Sequence, residues 1–223
     1  MCLILVAWRR HAGFPLVVAA NRDEFHARPA AAAAFWKDPS GILAGRDLQA
    51  NGSWLGVARN GRFAAVTNYR GGLDSKAVAS RGALVADFLA GGTTPAAYVA
   101  ELDGRKTGFS GFNLLVADGE EFWWLSNRGN GPRRLAPGCY ALGNALLDSP
   151  DVQEIKGRFA EAPCAVDPLF SLLAESKIVA PAYGTRCSTV VLQEAAGTTQ
   201  FAERPFDAAG ADGATLRFEF RRA

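Results

Sequence analysis

Two short apolar runs, Leu3 to Trp8 and Phe14 to Ala20, open the chain with Arg9-Arg10-His11-Ala12-Gly13 between them. Neither run alternates with polar residues, so each reads as a strand buried on both faces. The short polar gap joins them as a hairpin. With the turn centred near His11-Ala12, antiparallel partners carry numbers that sum to about 23. Cys2 then lies opposite Asn21, beside Arg22 and Asp23, with the polar stretch Asn21-Arg22-Asp23-Glu24 following the second strand.

The remaining pattern follows the same logic. Phe25 to Leu48, with its alanine run from Ala30 to Ala34, reads as an irregular surface segment. Asn60-Gly61 sits between the apolar runs Ser53 to Arg59 and Arg62 to Thr67, the strongest short hairpin signal. The second of these strands delivers Asn68-Tyr69 at its end. A helix is expected from Arg81 to Ala90, capped by Ser80 and stopped at Gly91-Gly92. A second begins with Thr94 as cap and Pro95 in its first turn, and ends near Asp103-Gly104. Strands return at Phe112 to Ala117, Glu121 to Ser126 and Cys139 to Gly143. Two helices open with Ser149-Pro150 and Asp167-Pro168. Strands at Ser188 to Gln193, Thr199 to Arg204 and Leu216 to Phe220 close the chain.

Strands separated by helix pairs imply an α+β fold of two mostly antiparallel sheets with segregated helices. No repeat, Pro/Ser linker or composition break divides the 223 residues, so residues 1–223 are expected to form one domain. A net charge of +2, with no Lys/Arg run longer than a pair, gives nucleic acid binding no electrostatic basis. The apolar runs are too short to span a bilayer. Arg9-Arg10 follows the first apolar run instead of preceding it, so no signal peptide is expected. Cys2, Cys139, Cys164 and Cys187 lack CxxC spacing, which argues against a metal site. Free thiols in a cytoplasmic protein are the expectation.

Cys2 follows Met1 directly. A small second residue favours removal of the initiator methionine, which would leave one residue bearing a thiol and a free α-amine. The thiolate is the nucleophile, and an α-amine with a pKa of about 7.7–8.0 can serve as its base. That is how an N-terminal residue attacks a carbonyl. The plain alternative is a strand-starting cysteine of no catalytic meaning. Polar residues at other strand ends fit the chemistry of amide attack: Asn68 and Asn144 as oxyanion donors, Asp23 to orient the amine, and Arg22 or Arg186 to favour thiolate. Each alone is also an ordinary turn or surface residue. His11 and His26 are the only histidines, which leaves little basis for a Cys-His pair. A haem ligand would need none of these asparagines; the five tryptophans suit an apolar pocket, though they equally suit a core.

Met1-Cys2, Ala19-Ala20-Asn21-Arg22-Asp23-Glu24-Phe25 and Arg28-Pro29 resemble the NRDE family, also called the transport and Golgi organization protein 2 family. Trp54-Leu55-Gly56, Thr67-Asn68-Tyr69, Gly143-Asn144-Ala145-Leu146-Leu147 and Tyr183-Gly184-Thr185-Arg186 continue the likeness in order along nearly the whole chain. The resemblance implies kinship with N-terminal nucleophile hydrolases and a four-layer αββα sandwich. It also implies catalytic positions by motif: Cys2 as nucleophile, Arg22 and Asp23 as the pair after strand two, Asn68 and Asn144 as oxyanion and positioning asparagines, and Arg186 as the late arginine. In the related acylases the Arg/Asp pair is spaced further apart. Asn21 and Tyr69, beside these positions, are candidate substrate contacts. The expected activity is hydrolysis of a linear amide of a small acyl-amide, with no cofactor required. The family's links to haem trafficking and lipid homeostasis imply the alternative, a non-enzymatic carrier of haem or another hydrophobic ligand.

Overall fold

The structure is a computed structural model that describes residues 2–37, 41–71 and 79–222. Its first two strands, β1 (Leu3–His11) and β2 (Phe14–Phe25), form the expected hairpin. The register differs by one residue: Leu3 pairs with Asn21, so partners sum to 24 over most of the ladder. The cause is an irregularity between Trp8 and His11, where Arg9 adopts φ 46°. β2 also runs further than its apolar run. Asn21 to Glu24 lie inside the strand, where they pair with a late strand of the chain, and are not a turn after it.

The other strands are β3 (Ala30–Phe35), β4 (Ile42–Asp47), β5 (Leu55–Ala58), β6 (Phe63–Asn68), β7 (Phe112–Ala117), β8 (Phe122–Ser126) and β9 (Arg133–Arg134). They are followed by β10 (Gly138–Leu142), β11 (Tyr183–Gln193), β12 (Thr198–Pro205) and β13 (Leu216–Arg221). β3 and β4 correct the expectation of an irregular segment. Alanines carry no strand signal, and here Ala30, Ala31 and Ala34 pair with Asp47, Arg46 and Ala44 on β4. The Asn60-Gly61 hairpin is present, with a four-residue loop, residues 59–62. Gly61 donates to the Ala58 carbonyl and takes φ +88°, a conformation that suits glycine.

The helices are α1 (Arg81–Ala90), α2 (Pro95–Arg105), α3 (Gln153–Glu161) and α4 (Val166–Ala174). Ser80 and Thr94 cap α1 and α2 by accepting from the Gly82 and Ala97 N–H groups. Pro150 opens a short 3-10 turn that leads into α3, which starts at Gln153.

The chain forms two compact units. The first comprises residues 2–29, Pro137–Gly143 and Asp148–Arg222. Its sheet has the order β10-β1-β2-β11-β12-β13, antiparallel throughout. Alternate residues Leu3, Leu5, Val17, Ala19, Val190 and Leu192 meet Phe159, Leu169, Phe170 and Leu173 of α3 and α4. The intervening residues Ile4, Val6, Val18 and Val191 are buried too, as two-sided apolar strands require.

The second unit comprises Ala30–Ala136 and Asn144–Leu147. Its sheet has the order β3-β4-β5-β6-β7-β8-β9, again antiparallel. Ile42, Ala64, Leu114, Val116 and Leu125 pack with Leu84, Val85, Phe88, Val99 and Leu102 of α1 and α2. Arg62 is buried within this unit, its guanidinium 3.8 Å from the Phe88 ring centroid and its Nε donating to the Phe88 carbonyl at 2.9 Å.

Candidate functional site

Within the first unit, Cys2 directly precedes β1, beside the central strand β2. Its thiol donates to the Asp23 carbonyl at 3.3 Å, and the Asp23 N–H donates to Sγ at 3.4 Å. The one-residue change in register therefore keeps the sulfur on the polar stretch, held by backbone. Burial pushes the Cys2 thiol up to about 11, and the Asp23 carboxylate pushes the same way. The Asp23 N–H, the positive amino terminus and Arg22 oppose them in that order. Arg22 acts in the expected direction, towards thiolate, but in the chain that retains Met1 burial outweighs it. The other thiols are raised as well, each chiefly by burial.

Asn21 and Asp23 are buried and bonded to protein groups. The Asn21 amide donates to the Leu173 carbonyl at 2.9 Å and accepts from Ser188 Oγ at 2.6 Å. One Asp23 oxygen, Oδ1, accepts from Thr185 Oγ1 at 2.7 Å. Arg22 is 7% exposed and pairs across the sheet with Cys187. Arg186 lies inside β11, at a bulge between Thr185 and Cys187, and not before the strand. Its Nη1 reaches the carbonyls of Phe25, His26 and Arg28 at 3.1, 3.1 and 3.4 Å. That geometry clamps the end of β2. The His26 ring Nε2 lies 3.0 Å from the Ala180 carbonyl.

Thr185 and Tyr183 are neighbours of this group that sequence reasoning did not single out. Tyr183 packs edge-on against Phe25, centroids 5.3 Å apart. Its hydroxyl is held well above the usual phenol range by burial first, then by Cys2 and Asp23, which places it in the electrostatic reach of both. A strand threonine or tyrosine has no sequence signature of its own. Only the matched stretch Tyr183-Gly184-Thr185-Arg186 could have drawn attention to them. A separate open cavity of about 380 Å³ in this unit is lined by Leu3, Val152, Ile155 and Ile178 together with the Arg158–Glu175 ion pair.

Within the second unit, the structure brings Asn68, Tyr69 and Asn144 together. The Asn144 side chain donates to the Asn68 carbonyl at 2.6 Å, and the Asn144 carbonyl accepts from the Arg70 N–H at 2.6 Å. Tyr69 donates its N–H to the Gly111 carbonyl. Beneath them Asn113, fully buried, donates to the Ala145 carbonyl at 2.9 Å and to Thr67 Oγ1 at 3.3 Å. Asn113 was not anticipated, because an asparagine inside an apolar strand reads as a packing anomaly. Among the described residues, no group of three or more His, Cys, Asp or Glu side chains is arranged to hold a metal ion. No described helix is long and apolar enough to cross a membrane.

Two antiparallel sheets, each bearing a helix pair, with a cysteine just before the first strand, define the N-terminal nucleophile hydrolase-like fold. The chain is similar to the Caenorhabditis elegans N-acylethanolamine-hydrolyzing acid amidase ortholog, at 14% identity and a TM-score of 0.63 over 86% of this chain and 92% of that one. It is also similar to a mutant conjugated bile acid hydrolase from Clostridium perfringens, at 8% identity and a TM-score of 0.50 over 100% and 98%. These likenesses establish the fold alone. Residues 1–167 match the Transport and Golgi organisation 2 family, and the chain belongs to that family. It is 33% identical to the Bos taurus Transport and Golgi organization protein 2 homolog over 86% of each chain. The Homo sapiens homolog is likewise 33% identical, with the same coverage.

Proposed function

We propose that the chain is a cysteine amidase that cleaves the linear C–N bond of a small acyl-amide through a thioester at Cys2. The observation that carries this reading is the Cys2 sulfur held on the Asp23 backbone within an N-terminal nucleophile hydrolase-like fold. The mechanism needs Cys2 to carry the free α-amine, that is, a chain processed after Met1. Burial raises the Cys2 thiol in the chain that retains Met1, and a buried thiol attacks only with a base to take its proton. The unprotonated α-amine takes the thiol proton as sulfur bonds to the amide carbon. The carbonyl electrons move onto oxygen. The resulting ammonium then protonates the leaving nitrogen as the C–N bond breaks, and water hydrolyses the thioester. Asn68 and Asn144 are the proposed oxyanion donors, on the strength of the resemblance. A carboxamide has two N–H donors, so Asn144 keeps one beyond its bond to Asn68.

Intact-mass analysis before and after exposure to an activated acyl ester, followed by a panel of small acyl-amides, tests the reading. The expected result is a mature chain starting at Cys2, one acyl adduct on Cys2, and amide cleavage abolished in Cys2→Ala. Chains that keep Met1 in their native host, or that start at Cys2 yet neither acylate nor cleave, overturn it. Stoichiometric haem binding in a spectrophotometric titration of such an inert chain would favour the carrier.

A further inference from the structure

We propose that Thr185 is a positioning residue for Cys2, acting through the Asp23 carboxylate; this rests on Cys2 as the nucleophile. Three facts meet at this threonine. It is 2% exposed, so its hydroxyl must find protein partners. Its single hydroxyl proton goes to Asp23 Oδ1 at 2.7 Å. Its oxygen accepts the Ile178 N–H at 2.8 Å. A hydroxyl has one proton and two lone pairs, so the incoming N–H fixes which way that proton points. Asp23 therefore receives a directed, charge-assisted bond. The backbone of the same Asp23 holds Cys2 from both sides, as donor and as acceptor.

The sequence around Thr185 is built for this relay. Thr185 donates its own N–H to the Ile178 carbonyl at 2.9 Å, so the 178 segment folds back on β11. Gly184 permits that approach: a Cβ there would stand 2.8 Å from the Ile178 carbonyl oxygen and 3.2 Å from the His26 ring. Arg186 spends its guanidinium on the carbonyls of residues 25, 26 and 28. In the stretch Tyr183-Gly184-Thr185-Arg186, the side-chain bond to the candidate machinery is thus made by the threonine, while the arginine holds the frame. Chain geometry around Cys2 then depends on one hydroxyl, which serine supplies and valine does not.

The test is iodoacetamide labelling of the native chain at pH 8, read by peptide mapping as the rate at Cys2 relative to Cys139 and Cys164. Those two thiols are partly buried like Cys2 and report general loosening. Thr185→Val is expected to slow Cys2 at least about fivefold against them, because the Asp23 charge beside the thiol loses a compensating donor. Thr185→Ser should stay within about twofold of wild type. Thr185→Ala is read alongside in case valine prevents folding. Equal relative rates in wild type and valine or alanine variants, or failure of serine to rescue, overturn the proposal. Acyl-amide turnover is measured on the same proteins. A wild-type chain without turnover, in which labelling still depends on the hydroxyl, defeats the amidase reading and leaves the positioning role standing.

Discussion

The two units share an architecture and differ in chemistry. Each is an antiparallel sheet with a helix pair on one face. The first unit buries Arg22, Asp23 and Glu203 in its central strands, and all four cysteines belong to it. The second buries mainly neutral polar groups, Ser53, Thr67, Ser110, Asn113 and Ser126, with Arg62 as its one buried charge among the described residues. Among the described residues the buried carboxylates thus lie in the first unit alone, whereas buried carboxamides and hydroxyls occur in both, as Asn21, Thr185, Ser188 and Gln193 show for the first. A charged group is costly to bury without partners, whereas a neutral amide needs only its hydrogen bonds. The contrast puts the buried carboxylates in the first unit, while the second unit's buried Tyr98 phenol is held above its usual range by burial and stays protonated near neutral pH.

The sharpest way to break that contrast is to move a charge across it. Asn113→Asp would place a carboxylate at a position with no exposure, facing the Ala145 carbonyl it now bonds. We expect about 5 kcal/mol of lost stability at pH 7 in a denaturant titration. The new carboxyl should have a folded-state pKa above its unfolded value of about 3.9. Stability should therefore be best retained below that value and decline as pH rises through the folded-state pKa. A loss under 1 kcal/mol, or one that does not change with pH, would show that this sheet tolerates charge as the first one does.

Next in size is a change that ignores the chemical contrast. Phe88→Ala removes a fully buried ring and the partner of the Arg62 guanidinium. It should cost about 3–5 kcal/mol and vary little between pH 6 and 8. A steep pH dependence would mean that the second unit conceals a titrating group.

A smaller effect should appear on the alkaline side. Cys2 has its folded-state pKa raised to about 11, above its ordinary value, so the folded chain holds the thiol proton more tightly. Its contribution is fully present below the unfolded pKa and is lost as pH rises towards 11. Chemical denaturation at pH 8 and at pH 10.5 should show a drop in stability that shrinks in Cys2→Ala. An unchanged drop would assign the alkaline loss to other raised groups, such as Cys187 or Tyr98.

The smallest change concerns helix ends. α1 and α2 have side-chain caps, whereas α3 and α4 have Val152 and Ala165 at the cap position, which make no such bond. Ser80→Ala should cost about 1 kcal/mol, and Ala165→Ser, at the exposed cap position of α4, should gain less than that, measured by thermal melting.

Much of this architecture was legible in the chain. The helix caps at Ser80 and Thr94 satisfy exposed N–H groups locally, so sequence and structure agree there to the residue. The hairpin of β1 and β2 was legible in kind, but its register depended on a single non-glycine residue at positive φ, Arg9. β3 was hidden because alanine has little intrinsic strand preference and the strand exists through its partner. The site was legible where chemistry is unusual, as with Cys2. It was hidden where a common residue works by position, as with Thr185 and Asn113, because hydrogen bonds across 162 and 46 residues leave no local trace.

The Arg186 clamp also bears on the order of assembly. It joins residues separated by 161, 160 and 158 positions, and β11 pairs with β2 over a comparable span. The N-terminal hairpin leaves the ribosome first, yet its central neighbour is among the last segments made. The seven strands of the second sheet run consecutively from residue 30 to 134 and can close on one another meanwhile. Until Arg186 emerges, β2 presents a long, apolar, unpaired edge, which is a template for association with other chains. Chains truncated before residue 183 should therefore clump through their beginning rather than their end, and the N-terminal strands should be the last to acquire amide-exchange protection.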